Sequence, residues 1–140
     1  MNILKITTKN RKIGNLGERA ALWFLIKKGY FILKRNYTAA DAEIDIIARK
    51  RGVIAFVEVK ARNIKNLGKS EARPASAVTP EKQRKIIRTA GCYLVRHKDG
   101  ERVRFDIIEV YLEDARRGVK IKEIKHIENA FDKNTAYGRR

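Results

Sequence analysis

Two charged residues inside an otherwise apolar strand constrain this chain more than any other feature. In the segment VIAFVEVKAR, residues 53–62, Glu58 and Lys60 interrupt a run that suits the middle of a core. Side chains at i and i+2 of a strand leave from the same face. Glu58 and Lys60 therefore follow Ile54 and Phe56 on one face, while Val53, Ala55, Val57, Val59 and Ala61 form the other. An antiparallel sheet with a solvated face that ends in a charge pair would explain the decapeptide. So would a polar site at the end of a core strand, and the surrounding sequence has to choose between them.

The preceding segment, AEIDIIA, carries Asp45 between Ile44 and Ile46, with a second carboxylate, Glu43, on the same face. Residues 50–52, KRG, have hairpin length, and Gly52 is available for positive φ. Pairing of the two strands would bring Asp45 to Glu58. Carboxylates pressed together repel, and each tends to stay protonated unless a cation intervenes. A hard divalent cation, Mg²⁺ or Mn²⁺, resolves this with oxygen ligands, so Asp45 and Glu58 are the expected metal ligands. Lys60 would stand beside the metal, orienting a water or neutralising charge that develops at phosphorus. A cross-strand salt-bridge network reaching Lys34 or Arg35 accounts for the same spacing.

The remaining sequence supplies the frame. Residues 15–28 read as a helix stopped by Gly29. Glu18 aligns there with Leu22 and Leu25, so it either caps its own helix or points into the site. A strand follows over 30–37, and residues 63–78, with Gly68, Pro74 and two serines, read as a mobile loop of the kind that is often functional. Thr79-Pro80 opens a second helix. It sets Ile86, Ile87, Ala90, Leu94 and His97 on one side, joined by Gln83, and Lys82, Lys85, Arg88 and Arg96 on the other. Cys92 reads as a packing residue of this helix. Strands at 102–112 and 118–127 complete the order α-β-β-β-α-β-β, a mixed β-sheet flanked by helices in an α/β fold. Asp106 is another inward acid, unless Arg102 or Arg104 pairs with it. The expected organisation is a basic arm over 1–12, one domain over 13–128 and a tail over 129–140.

Charge indicates the partner. Thirty-three Lys and Arg against sixteen Asp and Glu leave +17 at neutral pH, with a pI near 10.3. Such an excess attracts polyanions, and nucleic acid is the first candidate because neutralised phosphates release counterions. An anionic membrane surface or an acidic protein would satisfy the charge but not explain inward carboxylates. The grip is expected from the basic arm, Arg62, Lys65, Lys82, Gln83, Lys85 and Arg88, as sequence-independent backbone contacts. One cysteine excludes an internal disulfide, and with His97 and His126 it cannot form a zinc site of the usual kind. No signal-peptide pattern or membrane-spanning run is evident, so the expectation is a cytoplasmic protein without membrane contact, as a monomer or a homodimer.

The motifs GNLGERAA, RNYTAADAEIDIIA, FVEVKAR, KQRKIIRTAGCYL and RFDIIEV together resemble the YraN-like family of small bacterial proteins, over residues 13–110. The resemblance implies a restriction-endonuclease-like fold of the PD-(D/E)xK nuclease superfamily, similar in layout to archaeal Holliday-junction resolvases. It further implies Asp45, Glu58 and Lys60 as the catalytic trio and Glu18 as a helix-borne acid of the site. One departure is Ala42, where members of that family usually read GEID and this chain reads AEID; the change removes no acid. The function expected on this basis is metal-dependent hydrolysis of phosphodiester bonds. DNA is favoured over RNA as substrate, with room for structure- or junction-selectivity. The alternative is a non-catalytic nucleic-acid-binding module on the same fold.

Overall fold

The computed structural model describes residues 3–66, 78–97 and 102–138. The elements are α1 (Ile3–Lys27), β1 (Phe31–Ala39), β2 (Ala42–Lys50), β3 (Val53–Asn63), a 3-10 turn (Ile64–Asn66), α2 (Pro80–Arg96), β4 (Arg102–Ala115), β5 (Gly118–Phe131) and α3 (Lys133–Tyr137). They form one five-stranded sheet in the order β1-β2-β3-β4-β5. All neighbours are antiparallel except β3 and β4, which run parallel. A parallel pair cannot be joined by a hairpin and needs a crossover, which α2 supplies. The mixed α/β order read from the sequence is the observed one, with α3 added at the end.

The period of two in β3 divides the core. Ile54 and Phe56 pack with Ile44, Ile47, Ile86, Tyr93 and Phe105 on the α2 side. Ala55 and Val57 pack with Ala21, Leu25, Ile46 and Val110 on the α1 side. Small residues let α1 approach closely. A Cβ built on Gly17 would lie 2.5 Å from the Ala61 side chain, so only glycine permits α1 to lie this near β3. Gly17→Val should therefore lower stability by about 3 kcal/mol through overpacking and displace the adjacent Glu18. Chemical denaturation checks the first effect; an unchanged midpoint would show that the contact is soft.

Register determines where the sheet opens. β2 and β3 pair from Lys50↔Val53 to Ile46↔Val57 and then part. β3 continues against β4 as far as Asn63↔Leu112. The half of β3 that carries Glu58, Lys60 and Arg62 thus loses its β2 neighbour. Asp45 stands at the parting point, and its Oδ2 accepts from the Val59 N–H at 2.8 Å. One side chain replaces the next rung of the ladder.

Several boundaries differ from the sequence reading. The expected basic arm is helical from Ile3, as the first part of α1. The expected tail begins inside β5, which runs to Phe131. Phe131 stacks on Phe105 at 5.3 Å, and Asp132 and Thr135 form a capping box for α3. β3 extends to Asn63, whose side chain donates to Asp114, before the 3-10 turn. The rest of the expected loop, 67–77, lies outside the described residues. On α2 the buried line is Gln83, Ile86, Thr89, Ala90 and Tyr93. Cys92 is exposed rather than packed, and His97 caps the helix end, stacked on Tyr93 at 4.1 Å. The expected inward line holds for Gln83, Ile86 and Ala90, with Ile87 and Leu94 packed at its edge; Thr89 and Tyr93 join it, and Tyr93 fits edge-on between Tyr37 and Phe56. Among the described residues, no helix is long and apolar enough to cross a membrane.

Candidate active site

Four elements converge where β2 leaves β3. α1 contributes Glu18, β2 contributes Glu43 and Asp45, β3 contributes Glu58 and Lys60, and the first turn of α2 contributes Lys82. Glu18, Glu43 and Asp45 each place a carboxylate oxygen within 4.8 Å of the others. Asn36 sits on β1 with φ of 51°, a region that Asn tolerates better than most residues. With its amide nitrogen turned inward, Asn36 donates to Glu18 Oε1 at 3.0 Å and Glu43 Oε1 at 3.3 Å.

The electrostatics follow from burial. Asp45 is pushed up to about 7, first by burial, then by the Glu58 charge and, more weakly, by Glu18; the Val59 N–H opposes the shift. Glu58 is only 8% exposed. Its Oε1 lies 2.8 Å from Lys82 Nζ and 3.7 Å from Lys60 Nζ. Burial, and then the nearby Lys82 ammonium, lowers the Lys60 pKa. Burial works against the Lys82 charge too, but its hydrogen bond to Glu58 and the Glu58 charge outweigh this and the Lys82 pKa is raised.

The carboxylates divide two openings. One cavity of about 480 Å³ is lined by Glu18, Glu43, Asp45, Glu58 and Lys60 against Ile13 and Gly14. A second of about 490 Å³ on the α2 side is lined by Glu43, Asp45 and Glu58 with Asp41, Lys82 and Lys85. An all-carboxylate, all-oxygen donor set beside a raised Asp45 has the chemistry that suits a hard divalent cation.

Glu18, Asp45, Glu58 and Lys60 thus meet in one place; α1 begins at Ile3, so Glu18 lies mid-helix, caps no helix end and turns into the site. Two participants were not expected there. Glu43 belongs to the tightest acid cluster, whereas the ligand pair read from the sequence was Asp45 with Glu58. The Glu43–Ile44–Asp45 alternation was the available signal. The sequence places Lys82 on an outward basic face; the structure finds it half-exposed in the first turn of α2 with its side chain reaching Glu58.

The remaining candidates are distributed around the opening. Gln83 is not an outward contact. It is 7% exposed, donates to the Val78 carbonyl at 2.8 Å and accepts from the Thr135 hydroxyl at 2.9 Å, which joins α2 to α3. Lys65 pairs with Asp114 at 3.2 Å, Arg88 with Asp41 at 2.8 Å and Lys85 with Glu81 at 3.8 Å. Exposed pairs of this kind contribute about 0–1 kcal/mol, so phosphate can compete for these cations. Arg62 is half-buried on the polar half of β3. Asp106 lies away from the site. It is fully buried and takes Arg104 in a bidentate pair at 2.8 Å, the Asn129 N–H at 3.0 Å and His126 Nε2 at 2.8 Å. Arg104 also donates to the hydroxyl of Tyr30, just beyond the end of α1 remote from Glu18. The network ties the connection between α1 and β1 to β4 and β5.

Fold and site together define a small α/β protein with an acidic cleft at the parting of two core strands, bordered by lysines. A family model described as "Uncharacterised protein family UPF0102" matches residues 17–110. The chain belongs to this family, the YraN family. It is 47% identical to a UPF0102 protein of Chlorobium phaeobacteroides over 122 residues, covering 85% of this chain and 93% of that one. It is 42% identical to one of Acetivibrio thermocellus over 131 residues, covering 91% and 98%. A third, from Clostridioides difficile, is 40% identical over 123 residues, covering 87% and 98%. The span matched by the family model contains Glu18, Glu43, Asp45, Glu58, Lys60 and Lys82.

Proposed function

We propose that this protein is a metal-dependent nuclease of the PD-(D/E)xK type that hydrolyses phosphodiester bonds, in DNA ahead of RNA. The supporting observation is the joining of Glu18, Glu43 and Asp45 within 4.8 Å, beside a Glu58–Lys60 pair on the strand that loses its neighbour. Asp45, Glu43 and Glu18 would hold Mg²⁺ or Mn²⁺, with Glu58 turning from its lysines to complete the set. The bound ion supplies Lewis acidity and a water of lowered pKa. Lys60, its own pKa lowered, holds the attacking water by hydrogen bond and offsets charge that develops on the phosphoryl oxygens. Asp45, anchored by the Val59 N–H, keeps the acids in place as β2 turns away. The half of β3 beyond Glu58 and the α2 side, with Lys85 and Arg88, would receive the phosphate backbone. A reducing cytoplasm suits the free, exposed Cys92.

The Lys82–Glu58 ion pair favours a second reading, a nucleic-acid-binding module whose acids serve a structural network. Labelled branched, duplex and single-stranded substrates incubated with Mg²⁺, Mn²⁺ or EDTA separate the two. Cleavage with either metal and none in EDTA is expected of the nuclease; binding without cleavage in every condition would establish the module.

Grip and chemistry should also separate. Replacing Lys85 and Arg88 together by neutral residues should weaken binding. It should also make the log–log salt dependence shallower by roughly two counterions. Unaltered affinity in a salt titration would move the substrate off α2.

A further inference from the structure

Lys82 is held in a position that phosphate grip alone does not require. It follows the N-cap Thr79, whose hydroxyl accepts from the Lys82 backbone N–H at 3.2 Å, so its place at the start of α2 is fixed. Its side chain crosses to β3, where Nζ lies 2.8 Å from Glu58 Oε1. Lys60 already approaches the same oxygen at 3.7 Å from two residues along the strand. One buried carboxylate therefore has two ammonium groups. Lys60 is the more enclosed of the two, while the Lys82 side chain is 46% exposed at the mouth of the cavity it shares with Lys85. A flexible four-carbon stem lets that ammonium swing without moving the helix.

We propose that Lys82 is the resident counter-ion of the acid site, with two positions: on Glu58 in the metal-free protein, and on a phosphodiester oxygen in the Lys85 cavity once Glu58 turns to a divalent cation. The proposal rests on the nuclease reading and adds a coupling to it. Lys82 competes with metal for Glu58 when no nucleic acid is present. A phosphate that draws Lys82 away frees Glu58, and by reciprocity Glu58 committed to metal frees Lys82 for phosphate. No covalent bond changes; only the partner of one ammonium does. The arrangement would balance the charge of Glu58 when the site is empty, and would couple metal binding to substrate binding.

The test begins with calorimetry of Mn²⁺ alone against the wild type, Lys82→Met and Lys82→Gln. Both variants are expected to bind Mn²⁺ about fivefold more tightly, the gain from relieving one partly exposed ion pair. Lys85→Met removes the same charge one turn along α2 without a contact to Glu58, and should change Mn²⁺ affinity by less than about twofold. A labelled four-way DNA junction is then titrated in Ca²⁺ and in EDTA. Ca²⁺ should improve binding to the wild type by a factor about five times larger than for Lys82→Met. Circular dichroism confirms that the variants are folded, and the two must agree in direction. If Lys82→Met and Lys82→Gln bind Mn²⁺ no more tightly than Lys85→Met, or if Ca²⁺ helps both proteins equally, the counter-ion role is overturned. The nuclease reading would survive that result, because it needs only Mn²⁺ binding and cleavage by the wild type. A wild type that binds no Mn²⁺ would overturn both.

Discussion

Glu58→Gln, Asp45→Asn and Lys60→Met should each lower the single-turnover rate on the preferred substrate by about a hundredfold to ten-thousandfold. Glutamine and asparagine keep the shape of the acid they replace. In Asp45→Asn the amide oxygen can still accept from the Val59 N–H, as the carboxylate does in the wild type. Lost cleavage would then report charge rather than misfolding. Metal affinity should divide the set differently. Asp45→Asn and Glu43→Gln should both weaken Mn²⁺ binding, because their oxygens belong to the cluster within 4.8 Å. Lys60→Met should leave it unchanged or improve it, because it removes a nearby positive charge. Cleavage that persists in Glu58→Gln, or in EDTA, would end the metal mechanism. If Glu43→Gln bound metal as the wild type does, the ligand set would revert to Asp45 and Glu58.

The second large effect is on stability and needs no substrate. Burial and the charges of Glu58 and Glu18 push Asp45 up to about 7, against about 3.9 for an aspartate in an unfolded chain. Between these values the folded protein holds a proton that the unfolded chain has released. The contribution of Asp45 to metal-free stability should therefore be greatest below about pH 4, fall as pH rises through the window, and level off above about 7, with a total loss on the order of 4 kcal/mol. Asp45→Asn cannot lose this proton. It should be more stable than the wild type at pH 8, and the advantage should vanish near pH 4. Mg²⁺ at pH 8 should restore much of the wild type's stability and little of the variant's. Urea titrations across pH give the comparison. A difference between variant and wild type that stays flat from pH 4 to 8, or a variant weaker at pH 8, would show that the acids are not crowded.

The two predictions separate residues whose placement was local from those whose placement was not. Residues 43–60 carry their own geometry: alternation puts Glu58 and Lys60 on the face of Ile54 and Phe56, and a short turn brings Asp45 alongside. Glu18 was legible because i, i+4 and i+7 define a helix stripe whatever the helix packs against. Glu43 was visible on the same face as Asp45, yet its membership of the acid cluster needed α1 at close range, which depends on Gly17 meeting Ala61. Asn36 gave no signal, since its reach to Glu18 and Glu43 depends on a single left-handed residue in β1.

From the sequence alone came the element order, the two faces of β3, the basic character, and Glu18, Asp45, Glu58 and Lys60 as residues of the cleft. Each of these depends on short-range periodicity, on a recognisable motif or on counting charges, and none changes with the tertiary arrangement. The packed structure decided how far the helix of residues 3–27 extends, where β2 leaves β3, and how Lys82 reaches across to Glu58. A period of 3.6 marks Gln83, Ile86 and Ala90 as the inward line of α2, but the edge-on fit of Tyr93 between Tyr37 and Phe56 is a long-range contact it does not supply. The reach of Lys82 across to Glu58 likewise joins residues distant in sequence, and such contacts are set by packing that local preference leaves free.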